Sequence, residues 1–503
     1  MKKNPFNYIL IALATSVISS SCSSSYLEVL PKGSSLEASY YTNQSEAFAG
    51  LVAVYDVMRK NSGGFENMIT MLNAGSDDHV AGGGGATDGI GLQSFSNYTI
   101  SPTTIPSSFW GDHYQGVFRA NFLLSKLPNI PMDASLKARY AGEAQALRAL
   151  YYFNLVRLFK NIPLIITPLA SSDIYNVIQA DPSAIYAQIE KDLNEAIPVL
   201  PTTVPATEAG RLTKGAAQAL LGKVYLYDNK LTEAAAQLAI VNGTPGGNNP
   251  YGYKLLSKFA DLWDSSNKFN SESIIEVTHT SASNAGWGNW GSGTDEGNTV
   301  VQMIGPRTLT RPAGSTAPAY YSGGWAFNPV TQDLYDVLKN DPRFAATILD
   351  AKALKAAKQI NYISAYQDTG YFINKFMPKQ SDVSTGLGNI ELNFRQNSYL
   401  IRLADTYLME AEALGGTGAR AQALLDAVRS RVGLPSIPVS LNAIANERRL
   451  ELACEGHRWF DLVRTGKAAS VLASRGFKAG KNEVLPIPFK ELENTKIKQN
   501  PNY

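Results

Sequence analysis

An apolar stripe across residues 137–159 constrains the fold of this chain more than any other feature. Tyr140, Ala144, Leu147, Tyr151, Leu155 and Leu158 recur there at spacings of three and four, which places them on one face of a helix. A helix with so continuous a face is held by packing against other elements rather than by its own propensity. The sequence supplies partners. Asp181 is placed to cap a second helix and Pro182 to open it, with Ile185, Ile189, Leu193 and Ala196 on one stripe before Pro198 and Pro201. Residues 213–227 and 231–240 read as a helical hairpin around Asp228, Asn229 and Lys230. Residues 398–414 and 419–432 read as another, divided by the glycine-rich stretch 415–418. Strand signals are short, the clearest at 273–280, so the expected fold is mainly α with little β.

The first residues read as an export signal. Lys2 and Lys3 precede a short apolar run from Tyr8 to Ile18, and Ser19-Ser20-Ser21-Cys22 follows. The run is well below the roughly 20 residues that span a bilayer as a helix. A cysteine directly after the small residues marks a lipoprotein signal, so residues 1–21 are expected to be removed and Cys22 to carry the lipid. Several acyl chains on one residue hold a protein at a membrane almost permanently. Residues 22–39 then form a tether, with the fold proper from about residue 40. Cys454 is the other cysteine, which leaves the lipidated chain no internal disulfide and makes a packed core the source of stability. A hydrophobic share of 44% with 17% charged residues is enough for one. The net charge of +2 gives no electrostatic case for nucleic acid.

Two stretches between the helical blocks differ in composition. Residues 68–106 contain the run Gly82-Gly83-Gly84-Gly85 among Asp, Ser and Thr, and residues 284–324 are loaded with Gly, Asn, Ser, Thr and aromatics. Long loops on a rigid scaffold are where binding residues collect. Sugars are held by aromatic rings against their C–H faces and by hydrogen bonds at their edges. Trp287 and Trp290 in AGWGNWGSG lack periodic apolar neighbours and are expected to be exposed ligand contacts; Tyr320, Tyr321 and Trp325 in AYYSGGWAFNP are further candidates. Asp77, Asp78 and His79 are candidate hydrogen-bonding partners for hydroxyls. Trp110 reads as core.

The C-terminal region carries the most specific strings. Residues 446–468 read NERRLELACEGHRWFDLVRTGKA and residues 483–503 read EVLPIPFKELENTKIKQNPNY. Residues 110–124 (WGDHYQGVFRANFLL), 142–159 (GEAQALRALYYFNLVRLF), 210–227 (GRLTKGAAQALLGKVYLY) and 401–414 (IRLADTYLMEAEAL) extend the pattern. Together they resemble the SusD-like (RagB) family of outer-membrane nutrient-binding lipoproteins, over nearly the whole mature chain. The resemblance implies a tetratricopeptide-like superhelix of helix pairs carrying an irregular, loop-rich lobe, here from scaffold segments 40–67, 107–270 and 398–503 and lobe segments 68–106 and 271–397. It implies capture of an oligosaccharide at the outward face of the outer membrane and its delivery to a SusC-like TonB-dependent transporter, without catalysis and without cofactor or metal. Ser23-Ser24-Ser25-Tyr26 departs from the family by lacking the acidic residues that often follow the cysteine in surface-exported members.

Read physically, the string at 446–468 is scaffold. Arg448 has helical spacing to Glu451 and Glu455, as has Arg458 to Glu455, and Asp461 with Arg464 continues the pattern, so buried ion pairs over Trp459 and Phe460 are expected. Two other readings stay open at this point. A surface glycoside hydrolase would draw a carboxylate pair from Asp295-Glu296 or Asp77-Asp78, and a peptide-binding member of the family would use the same aromatic loops. His79, His113, His279 and His457 are scattered without metal-ligand spacing, and no nucleophile elbow or phosphate-binding loop occurs.

Overall fold

The helices form where apolar stripes coincide with caps. A computed structural model describes residues 41–170, 172–288, 296–319 and 323–503. Its long helices are α1 (Gln44–Asp56), α2 (Ser108–Lys126), α3 (Ala134–Phe159), α4 (Pro182–Ala196), α5 (Lys214–Tyr227), α6 (Leu231–Asn242), α7 (Leu403–Ala413), α8 (Gly418–Arg431), α9 (Leu441–Glu451) and the short α10 (Arg458–Arg464). The 137–159 stripe belongs to α3, which starts a turn earlier because Asp133 accepts from the Leu136 N–H at 2.9 Å. Asp181 accepts from the Ser183 N–H at 2.9 Å and Thr213 from the Ala216 N–H at 3.2 Å, so both expected N-termini are capped. Replacing Asp181 with alanine is expected to lower stability by about 1 kcal/mol, read as a shift of the urea unfolding midpoint with unchanged slope.

Each helix packs on the next in chain order, α1 on α2, then α3, α4, α5 and α6. The stack crosses to the C-terminal part where α6 packs on α7, and α7 packs in turn on α8 and α9. The fold is mainly α, a tetratricopeptide-like helical scaffold with short two-stranded ribbons and no larger sheet among the described residues. The expected helix at 398–414 is corrected in its first turn. Ser398–Arg402 is a strand, paired antiparallel with Ser273–Val277, and the helix starts only at Leu403. A strand partner more than a hundred residues away has no local signature, and Ser-Tyr-Leu-Ile-Arg tolerates either conformation.

The stretch 68–106 is more ordered than its composition suggests. It holds two short buried helices, Met68–Ala74 and Ile90–Ser96, and its glycine run lies against residues 326–330. One large hydrophobic core, from Ala47 to Ile487, takes in most of the helical stack and both loop-rich stretches, and a smaller cluster of Leu226, Ala234, Leu238, Met409 and Ala413 seals α5 and α6 against α7. Trp459 is fully buried within it, meeting Phe95 edge to face at 5.3 Å and packed beside Phe460. Trp110 is buried too, against Tyr114 and Phe159.

Candidate functional site

Charges at the C-terminal string are structural, but their partners lie far off in sequence rather than one helical turn away. Arg448 bonds Asp405 at 2.8 Å and Asp461 at 3.0 Å, not Glu451 or Glu455. Glu451 and Glu455 instead meet Arg402 at 2.6 and 2.8 Å, with Arg343 on Glu451 at 3.0 Å and Lys375 on Glu455 at 2.7 Å. Arg464 does reach Asp461, at 2.8 Å. Helix spacing therefore identified the charged face, while tertiary packing chose the pairs.

The same arginine-rich segment engages the acidic pair of the first loop. Arg458 grips Asp77 with two hydrogen bonds of 2.8 Å, and Arg449 bonds Asp78 at 2.5 and 2.8 Å. Burial opposes ionisation of Asp77, yet Arg458 and Arg449 hold its carboxyl below the usual range. Burial and then the adjoining Asp77 push the Asp78 carboxyl up. Asp78 and His79 are buried, and burial drives the His79 imidazole down to about 3. Neither residue reaches solvent, so the hydrogen-bonding role expected for this trio is not the one their side chains occupy, and Asp77-Asp78 is not free to serve as a hydrolytic pair. The backbone of the segment does matter to the site. Val80 N–H donates to the Pro329 carbonyl at 3.1 Å and Gly83 N–H to the Ala326 carbonyl at 2.8 Å, which fastens the first loop behind the second.

In front of that seam stands a series of aromatic rings. Trp287 is 51% exposed, and its ring centroid lies 5.9 Å from that of half-buried Trp325 at an interplanar angle of 36°. Trp325 in turn tilts against Phe65 at 6.2 Å, and Phe65 meets the fully buried Phe327 edge to face at 5.2 Å. The ladder thus runs from solvent into the core. Offset and edge contacts of this kind favour ring order by about 0.5–1.5 kcal/mol per pair beyond burial.

Backbone contacts aim it. Gly324 and Gly305 approach so closely that a Cβ on Gly324 would stand 2.4 Å from the Gly305 Cα. Trp325 N–H donates to the Gln302 carbonyl and Ala326 N–H to the Gly305 carbonyl, both at 2.9 Å. Gly82, at φ +70°, would drive a Cβ to 2.2 Å from the Ala326 carbonyl oxygen, so glycine is required for this seam. Trp287 is positioned by its own N–H, which donates to the Asn389 Oδ1 at 3.2 Å.

Polar groups border the rings. Arg307 donates from Nε to the Trp325 carbonyl at 3.3 Å and faces Asp88 at 3.5 Å, both residues being about two-fifths exposed. Of the sequence candidates, the structure brings Trp287 and Trp325 together. Trp290, Tyr320 and Tyr321 lie outside the described residues, as does Cys22. Phe65 and Arg307 were missed. Phe65 follows Gly63-Gly64, the same glycine-flanked aromatic pattern that singled out Trp287, whereas Arg307 carried no signal. Among the described residues no group of three or more His, Cys, Asp or Glu side chains is placed to hold a metal ion.

A solved structure described as a laminarin binding SusD-like protein is 65% identical to this chain, covering 92% of it and all of the other chain, with a TM-score of 0.91. The chain belongs to the SusD-like family. The profile of the SusD family matches residues 271–503, and one described as starch-binding, associating with outer membrane, matches residues 68–226. Surface glycan-binding protein A from Bacteroides thetaiotaomicron, solved in complex with laminarihexaose, is 27% identical over 91% of this chain and all of its own, with a TM-score of 0.81. A SusD-like protein of Formosa agariphila is 24% identical over 93% of both chains. The two solved relatives bear the names of binding proteins rather than of enzymes.

Proposed function

We propose that this SusD-like protein binds a glycan of the laminarin type on the Trp287–Trp325–Phe65 ladder and passes it to a SusC-like TonB-dependent transporter. The observation that carries the reading is the ladder itself: three rings graded from exposed to half-buried, with charged and amide groups at the edge. Flat apolar faces beside hydrogen-bonding groups suit a sugar polymer, and no base, nucleophile or free carboxylate pair accompanies them among the described residues. Trp290, Tyr320 and Tyr321 are further ligand contacts in this reading. The segments 68–106 and 271–397 form the ligand-binding lobe on the helical scaffold. The names of the relatives at 65% and 27% identity, one a laminarin binder and one solved with laminarihexaose, supply the ligand class.

The protein is held at the outer face of the outer membrane through a lipid on Cys22, and the glycan leaves chemically unchanged. Replacing Trp287 with alanine is expected to weaken laminarihexaose binding about tenfold, or about 1.4 kcal/mol, since the lost ring is half exposed before any ligand covers it. Isothermal titration of both proteins against laminarihexaose reads this directly. Unchanged affinity would remove Trp287 from the site, and new reducing ends after prolonged incubation would replace capture with hydrolysis.

A further inference from the structure

A cavity of about 50 Å³ lies where the helical stack meets the C-terminal segment, lined among others by Lys60, His113, Asn154, Arg157, Lys223 and His457. Its charges do not balance. Lys60 faces Asp112 at 3.2 Å, Lys223 faces Asp405 at 3.0 Å, and the one carboxylate in the lining, Glu455, is occupied by Lys375 and Arg402. Arg157 has no carboxylate within 4 Å among the described residues. Its guanidinium donates to the Phe153 carbonyl at 3.1 Å and to the Asn154 Oδ1 at 2.5 Å, and it lies against the rings of Phe153, Phe460 and Tyr227, 4.0, 4.1 and 5.2 Å from their centroids.

The histidines do not compensate. His113 Nδ1–H donates to the Phe109 carbonyl at 2.8 Å, which leaves Nε2 to accept from Asn154 Nδ2 at 3.0 Å and fixes a neutral ring. His457 is likewise kept neutral at ordinary pH, with burial drawing its imidazole down to about 4. One cation thus stands in excess at a cavity with room for roughly three to five water molecules. Arg157 is half-buried, and a charge partly withdrawn from water without a direct counter-charge is costly; rings against a guanidinium answer only part of that cost.

We infer that this cavity binds one small monovalent inorganic anion of the chloride class, held by Arg157 with Lys60 and Lys223 beside it. A single missing negative charge matches a monovalent ion, and the cavity is too small for an organic carboxylate such as gluconate. The ion ties α3, which carries Arg157, to the segment around His457 and Phe460, and so couples the helical stack to the C-terminal region.

Thermal unfolding of the purified protein in sodium chloride and in sodium gluconate, at matched ionic strength, tests this. Chloride is expected to raise Tm by about 1–3 °C in a saturable manner, and the difference should vanish in Arg157→Gln while surviving in Arg157→Lys. Crystals of the unmodified protein grown in sodium bromide give a second readout that needs no variant: an anomalous bromine peak in the cavity within hydrogen-bonding distance of the Arg157 guanidinium. Equal Tm in the two salts, or a cavity holding water alone in bromide, would overturn the assignment.

Discussion

Replacing Arg402 with methionine is expected to remove about 3–5 kcal/mol of stability, the usual effect of deleting one partner from a buried charge cluster. Arg402 is 1% exposed and meets three carboxylates, Glu272, Glu451 and Glu455, at 2.6–2.9 Å. Methionine matches much of its volume and supplies no charge, so the acids are left partly uncompensated in a site water does not reach. Guanidinium chloride unfolding reads the loss. The acid limb of the stability curve gives an independent check. Burial opposes ionisation of Glu451, but Arg431, Arg402 and Arg343 overcome it and hold its carboxyl well below the usual range, and Arg402 and Lys375 lower the Glu455 carboxyl against its own burial. A carboxyl depressed in the folded state contributes stability above its unfolded pKa of about 4.3 and loses it as pH falls through the folded value. Stability of the unmodified protein should therefore decline below about pH 4–5, and the decline should be shallower in Arg402→Met.

Trp325→Ala is expected to weaken laminarihexaose binding about a hundredfold, close to 3 kcal/mol, a larger effect than at Trp287. Trp325 is the middle ring, in contact with Trp287 on one side and Phe65 on the other. Its removal takes away one stacking face and the support of a second. Because Trp325 is only half-buried, circular dichroism and the unfolding midpoint should move little while titration calorimetry shows the loss. Affinity within twofold of the unmodified protein would take the ladder out of the binding reading altogether.

Local signals carried the helical part of the fold. Asp181-Pro182 and Thr213 marked helix starts because capping is a contact between near neighbours in sequence, and the structure has both. What escaped was whatever depends on partners far along the chain. Ser398–Arg402 passed for helix because its strand partner lies at Ser273–Val277. Asp77 and Asp78 looked available for ligand because Arg458 and Arg449, more than 370 positions away, could not be placed opposite them. The exposure of Trp287 was legible from its glycine neighbours, which offer no apolar face to bury it. Its pairing with Trp325 depends on the close approach of Gly305 and Gly324, a backbone contact with no sequence pattern of its own.

The reach of the charge cluster across the chain has a consequence for biosynthesis. Arg343 and Arg402 leave the ribosome long before Glu447, Glu451 and Glu455, and until those acids emerge Arg402 has, among the described residues, Glu272 as its only carboxylate partner. Residues 485–500 are needed as well, since Leu485 N–H donates to the Leu158 carbonyl at 2.7 Å and Asn500 Nδ2 to the Phe159 carbonyl at 2.8 Å, closing off the C-terminus of α3. A nascent polypeptide can wind its early helices one by one, but it cannot lock them until residues 447–500 have been made. Copies that stop before those acids therefore lack the contacts that join the helical stack to the C-terminal segment, and are expected to be more open to proteolysis than the full polypeptide.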